Sequence, residues 1–171
     1  MKKYCLSILT ALMAILCVST FVSCGDDDDI PGNDDSRLTI GVHRVDVEFE
    51  GNTTPWLVTV GFSAVEAAEN GIGASLYENG KLLGGGEANY AEYVFRSYSV
   101  YTDDNCMGLC CVIECRTNTH TTPLEPIKIK LRGYVNNKLT KEQTVVCEDN
   151  GKSKIIAFYT EGDNVGYVKE I

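Results

Sequence analysis

From residue 37 onward apolar and polar positions alternate with a period of two, and the segments are rich in Val, Ile, Thr, Tyr and Phe and separated by Gly and Asn clusters. That period belongs to half-buried β-strands. Trp56, Val58, Val60 and Phe62 fall on one face of a strand, with Leu57, Thr59 and Gly61 opposite, and Pro55 suits the strand's start. Ile127, Ile129 and Leu131 alternate as cleanly with Lys128, Lys130 and Arg132. Asn79-Gly80 and Asn136-Asn137 each lie between short strand-like runs and predict tight hairpins. In the first strand the apolar phase changes from Leu38, Ile40, Val42 to Val45, Val47, Phe49, so a bend near His43-Arg44 is expected if both sets are to point inward. Such a bend lets one strand serve two sheets.

Further strands are expected over 89–101, 109–117 and 152–159, with a last one near 165–169. One helical hint interrupts them: Ser63 and Glu66 have capping-box spacing, and Asn70-Gly71 would end a short helix. Eight or nine strands without crossover helices predict an all-β fold, an antiparallel β-sandwich of immunoglobulin-like or transthyretin-like type, with a small β-barrel as the alternative.

The first 36 residues follow a different rule. Lys2 and Lys3 precede a nearly continuous apolar run over 6–22, the layout of an export signal. The run is slightly short of the roughly 20 apolar residues that span a bilayer core. It ends at Phe21-Val22-Ser23-Cys24, which resembles the bacterial lipobox, with Phe21 standing where Leu is usual. The resemblance implies cleavage after residue 23 and acylation of Cys24. Asp26, Asp27, Asp28 and Asp29 follow at once and resemble the sorting signal of surface-exposed lipoproteins in Bacteroidetes-type bacteria. That implies a lipid anchor in the outer membrane and display at the surface of a Gram-negative cell. The similarity covers about the first thirty residues and speaks to location alone. The expected organisation is a cleaved signal peptide at 1–23, a lipidated cysteine and acidic flexible tether at 24–36, and one β-domain at 37–171.

Charge sharpens this division. The whole chain carries a formal net charge of -9. Six of its acids lie in the tether, which leaves the folded part only mildly acidic, with 13 basic against 18 acidic residues. Nucleic acid is excluded as a partner class, because phosphate binding needs a basic face. The run Asp26 to Asp29 lacks the spacing and distal Glu of an EF-hand loop.

The domain retains Cys106, Cys110, Cys111, Cys115 and Cys147, an odd set. Disulfides are permitted in an exported protein, and spacing does not give the connectivity. If 109–117 is a strand, Cys111 and Cys115 lie on one face about 13 Å apart, beyond the roughly 7 Å between Cα atoms that a disulfide allows. Cys147 is then the cross-strand partner for one of them, and Cys106 with Cys110 is a second candidate pair around the turn 103–105. Buried thiols are the alternative. The cysteines alternate along a strand instead of forming knuckles, so no metal is expected. A catalytic thiol would have only His43 and His120 to draw on.

Elsewhere the chain holds no nucleophile elbow, zinc-protease helix, phosphate loop or dinucleotide fingerprint. Glu92, Glu114 and Glu142 read as solvent-face residues. Lys128, Lys130 and Arg132 form a basic stripe, a candidate ligand contact or simply a solvated face. Tyr90, Tyr98 and Tyr101 with Trp56 are candidates for stacking on sugars, with core packing the stronger reading for Trp56. The expected function is therefore a non-catalytic, lipid-anchored binding or interaction module without cofactor, its partner a glycan or a protein. A structural or adhesin-associated subunit, and a small surface-anchored inhibitor or hydrolase, are the alternatives. An exposed aromatic platform, an open hydrophobic edge and a deep pocket would respectively favour these three. For the folded part there is a general similarity to immunoglobulin-like domains of surface lipoproteins, which implies architecture alone.

Overall fold

A computed structural model describes residues 38–66, 74–90, 96–117, 124–161 and 167–170. All belong to the compact unit Arg37–Ile171. In chain order the strands are β1 (His43–Glu50), β2 (Trp56–Glu66), β3 (Ser75–Glu78), β4 (Lys81–Gly85), β5 (Glu87–Tyr90), β6 (Tyr98–Thr102), β7 (Cys106–Thr117), β8 (Ile127–Val135), β9 (Lys138–Cys147), β10 (Lys154–Tyr159) and β11 (Tyr167–Glu170). They form a six-stranded sheet in the order β4-β3-β6-β1-β8-β9 and a five-stranded sheet in the order β11-β10-β7-β2-β5. Every pairing is antiparallel. Both sheets are open, so the molecule is a β-sandwich and the barrel alternative falls away.

The period-two pattern sets which face of each strand turns inward. Val45 and Val47 of β1, Ile127, Ile129 and Leu131 of β8, and Leu76 and Val100 of the neighbouring strands meet Trp56, Val60, Phe62, Ile113, Ile156 and Phe158 of the other sheet in one core. Each such side chain contributes about 1.5–3 kcal/mol on burial. A one-residue slip of β1 against β8 would turn Arg44, Asp46 and Glu48 inward, so the register is strongly specified.

Both predicted hairpins form. Asn79 and Gly80 have φ of 51° and 77°, and Asn136 and Asn137 have 49° and 66°, the paired left-handed geometry that matches the twist of the flanking strands. No bend or bulge falls at His43-Arg44, which pair with Val135 and Tyr134 in unbroken register; the chain instead passes between the sheets just before β1. Gly41 donates its N–H to the Cys106 carbonyl of the five-stranded sheet at 3.0 Å, whereas His43–Glu50 belong to the six-stranded sheet.

Three other expectations need correction. Leu38 and Ile40 do not turn inward but are 39% and 58% exposed, because the chain joins the sandwich only at Gly41. Ser63–Glu66 is not a helix start but the end of β2, hydrogen-bonded along β7 as far as Cys106. The proposed C-terminal part of that helix, 67–70, lies outside the described residues. The expected strand 89–101 is two strands, β5 and β6, in different sheets.

The two ends of the sandwich are closed differently. At one end His43, fully buried, is bonded through Nδ1 to Thr160 Oγ1 at 2.7 Å and through Nε2 to the Thr39 carbonyl at 2.9 Å. Thr140 Oγ1 donates toward the carbonyls of Gly133 and Thr160, which links the sheets again. Gly133 eases the approach at this pinch: a Cβ there would lie 3.1 Å from Thr160 Cα, so the neighbour would have to give by a few tenths of an ångström. The opposite end carries Cys115 of β7 and Cys147 of β9, both 1% exposed and in the core.

Candidate functional site

The outward-facing side chains of the six-stranded sheet form ordered rows across the strands. The first row runs Leu82, Tyr77, Tyr101, Arg44, Tyr134, Leu139, each residue directly opposite the next in the strand register. It crosses all six strands, a span of roughly 24 Å at about 4.8 Å per strand. The rings of Tyr77 and Tyr101 are stacked, with centroids 5.6 Å apart and planes 18° apart. The Arg44 guanidinium lies over the Tyr134 ring, 3.9 Å from its centroid. Arg44 Nε is also 3.3 Å from Asp46 Oδ1. The four central side chains are half-buried by one another, and Leu82 and Leu139 at the two ends are 56% and 47% exposed.

The next rows are ionic. Arg132 donates to Glu48 Oε1 at 2.9 Å and to Glu142 Oε1 at 3.3 Å, and Lys130 donates to Glu50. Ser99 donates to Asp46 Oδ1 at 2.7 Å. The hydrogen bond to Lys130 draws the Glu50 carboxyl below its ordinary value, and the same bond raises Lys130. The bonds to Glu48 and then Glu142 raise Arg132. These groups are solvent-exposed, so each pair adds little to stability. The basic stripe Lys128, Lys130 and Arg132 thus lies on this face, but it is one side of a ladder whose other side is Glu48, Glu50 and Glu142. Lys128 is exposed and stands opposite Glu50. An anion approaching the stripe meets carboxylates already in place.

The other sequence candidates separate. Trp56 and Tyr98 are buried in the core at 1% and 2% exposure, so they offer no surface to a sugar. Burial raises the Tyr98 phenol despite the cation of Arg96, whose guanidinium lies 4.2 Å from the ring centroid. Among the described side chains of that group Tyr101 alone reaches the outer face; the side chain of Tyr90 lies outside the described residues, as do Glu92, His120, Cys24 and Asp26 to Asp29. Glu114 is half-buried on β7, and Glu142 belongs to the ion-pair ladder.

All five domain cysteines are buried. Cys106, Cys111 and Cys115 point into the core, whereas Cys110 is on the other face of β7. Cys106 and Cys110 are therefore not brought together; Cys106 Sγ instead donates to the Gly108 carbonyl at 3.1 Å. Burial raises the thiols of Cys106 and Cys111. Cys115 and Cys147 do meet, thiol to thiol. Among the described residues no group of three or more His, Cys, Asp or Glu side chains is arranged to hold a metal ion. Both ring nitrogens of His43 are engaged, Nδ1 with Thr160 across the sheets and Nε2 with the Thr39 carbonyl.

The row of Tyr77, Arg44 and Tyr134 was not anticipated from sequence. Its members are far apart in the chain, and only the strand order places them side by side. The hairpins gave a partial signal, since the turn at Asn79-Gly80 already sets Tyr77 opposite Leu82.

No family model matches the chain, and no curated protein matches it. Solved structures do. A DUF4425 family protein from Bacteroides ovatus superposes with a TM-score of 0.62 at 24% identity, covering 74% of this chain and 99% of that one. A domain of unknown function, DUF4425, from Bacteroides vulgatus superposes with a TM-score of 0.57 at 20% identity, covering 73% and 97%. The calcium-bound form of a protein from Parabacteroides distasonis gives 0.55 at 16% identity, covering 85% and 99%. At these identities the shared property is the fold.

Proposed function

We propose that this protein is a non-catalytic interaction module, tethered through a lipidated Cys24 to the outer membrane and displayed at the cell surface, that docks a protein partner on the outer face of its six-stranded sheet. The observation that carries this reading is the row Leu82, Tyr77, Tyr101, Arg44, Tyr134, Leu139. Tyr and Arg are the residue types that dominate binding energy at protein interfaces. Stacking and the guanidinium contact already hold these side chains in place, so little rotamer freedom is lost on docking.

A protein suits the row better than a glycan. Sugars stack on open ring faces, but Tyr77 and Tyr101 have one face each against the other, and Tyr134 is covered by Arg44. The size also fits. About 24 Å of sheet width along the nine residues of β8, roughly 30 Å, gives a face of about 700 Å², against the roughly 800 Å² per partner of a standard interface. The balanced ion-pair ladder beside the row supplies a polar rim without a single-sign field.

Two experiments test the reading. Cys24→Ala should release the protein from membranes, and unchanged retention would contradict lipidation. A photo-crosslinking amino acid replacing Tyr101 in living cells should give one discrete protein adduct that Arg44→Ala abolishes. Adducts that form equally from a probe at the exposed Lys152, or that survive Arg44→Ala, would contradict docking at the row.

A further inference from the structure

We infer that Cys115 and Cys147 form a disulfide that joins the two sheets when the chain folds in an oxidising compartment. Cys115 lies on β7 of the five-stranded sheet and Cys147 ends β9 of the six-stranded sheet. Both point inward, both are 1% exposed, and their thiols are in hydrogen-bond contact across the sandwich. A second tie brings the same rungs together. Lys154 of β10 stands opposite Cys115, and its Nζ donates to the carbonyl of Val146, the residue before Cys147, at 2.7 Å. The other inward cysteines do not compete. Cys111 is four residues away along the same strand, about 13 Å from Cys115, and Cys106 is farther along still.

The site also fits the mechanics of the fold. The far end of the sandwich is held by His43, Thr140 and Thr160, six strand residues or roughly 20 Å away along β10. The cysteine end is tied by the thiol contact and the Lys154–Val146 hydrogen bond, so a covalent bond here would fasten the sheets firmly at both ends.

The chemistry requires an external disulfide, carried by a thiol oxidase or a small-molecule disulfide, acting before the sheets close over the pair. One of the two thiolates attacks the external disulfide, forming a mixed disulfide and expelling one thiolate of the oxidant. The other cysteine then loses its proton and attacks the bonded cysteine's sulfur, expelling the second thiolate. Two S–H bonds become one S–S bond, and the external disulfide takes up two electrons and two protons.

The test is peptide mapping of the full chain recovered from cells that export it, alkylated under denaturing conditions without reductant. The expected result is a single cross-linked peptide pair carrying Cys115 and Cys147, with Cys106 and Cys111 alkylated as thiols. Alkylation of both Cys115 and Cys147, or either one bonded to a different cysteine, would overturn the inference. Closure of a loop of about thirty residues predicts that the protein refolded under reductant melts about 10 °C lower than the exported form. Equal melting temperatures would overturn the claim that the bond fastens the sheets.

Discussion

The two outer faces of this sandwich follow the same alternating pattern but differ in what they do with it. On the five-stranded sheet the outward residues Val112, Ala157 and Cys110 are as buried as core residues, at 1%, 0% and 7% exposure. On the six-stranded sheet the outward positions are Tyr77, Tyr101, Arg44 and Tyr134, followed by Asp46, Arg132, Glu48 and Lys130, all at least partly open to water. A strand buried on both sides contributes stability and has no surface to offer. The open face can be changed without undoing the core, and it is there that a partner finds ordered Tyr and Arg side chains.

The sharpest way to break this contrast is to place a carboxylate on each face. Ala157→Asp should bury an unpaired charge and cost about 3–5 kcal/mol, seen as a large fall in the urea midpoint. Thr144→Asp on the open face stands opposite Lys130 and should change stability by no more than about 0.5 kcal/mol. Comparable losses at the two sites would mean that the faces are not physically different.

A smaller effect is expected within the row. Tyr101→Ala removes the stack on Tyr77 and should cost about 1–2 kcal/mol in stability, while leaving the cooperative unfolding transition intact. Smaller still is Arg132→Ala, which breaks the contacts to Glu48 and Glu142 and should lower the urea midpoint only slightly, and less at high salt. The mildest effect is in pH. Glu50 sits below its ordinary 4.5 when folded, so its contribution is present above that value and fades as pH falls through the lowered one. Glu50→Gln should therefore lower the neutral plateau slightly and leave stability at acid pH, below the lowered value, unchanged, which flattens the acid side of the stability profile.

How much of this was visible in the sequence follows from which interactions are local. Strands such as Ile127–Val135 and the 56–62 part of β2, and both hairpins, were legible because residue alternation and Asn-Gly or Asn-Asn turns are short-range signals. Ser63–Glu66 misled because a capping-box spacing is also local, but pairing of that segment with Cys106 to Cys110 outweighs it. The tyrosine–arginine row was not legible, and the sequence set Cys147 against Cys111 or Cys115 without choosing between them. Each depends on strand order and on which sheet faces which, and these are settled by the whole core. The Lys128, Lys130 and Arg132 stripe was visible, but its partners Glu48 and Glu50 come from a strand some eighty residues earlier.

The most direct test of the account is to measure affinity and stability side by side in the double variant Arg44→Ala, Tyr134→Ala, using the protein identified by crosslinking at position 101. Loss of two contacts at the centre of the row should weaken binding at least 30-fold, about 2 kcal/mol, while the melting temperature falls by no more than several degrees. Unchanged affinity in a folded double variant would contradict the claim that this face is where the partner docks.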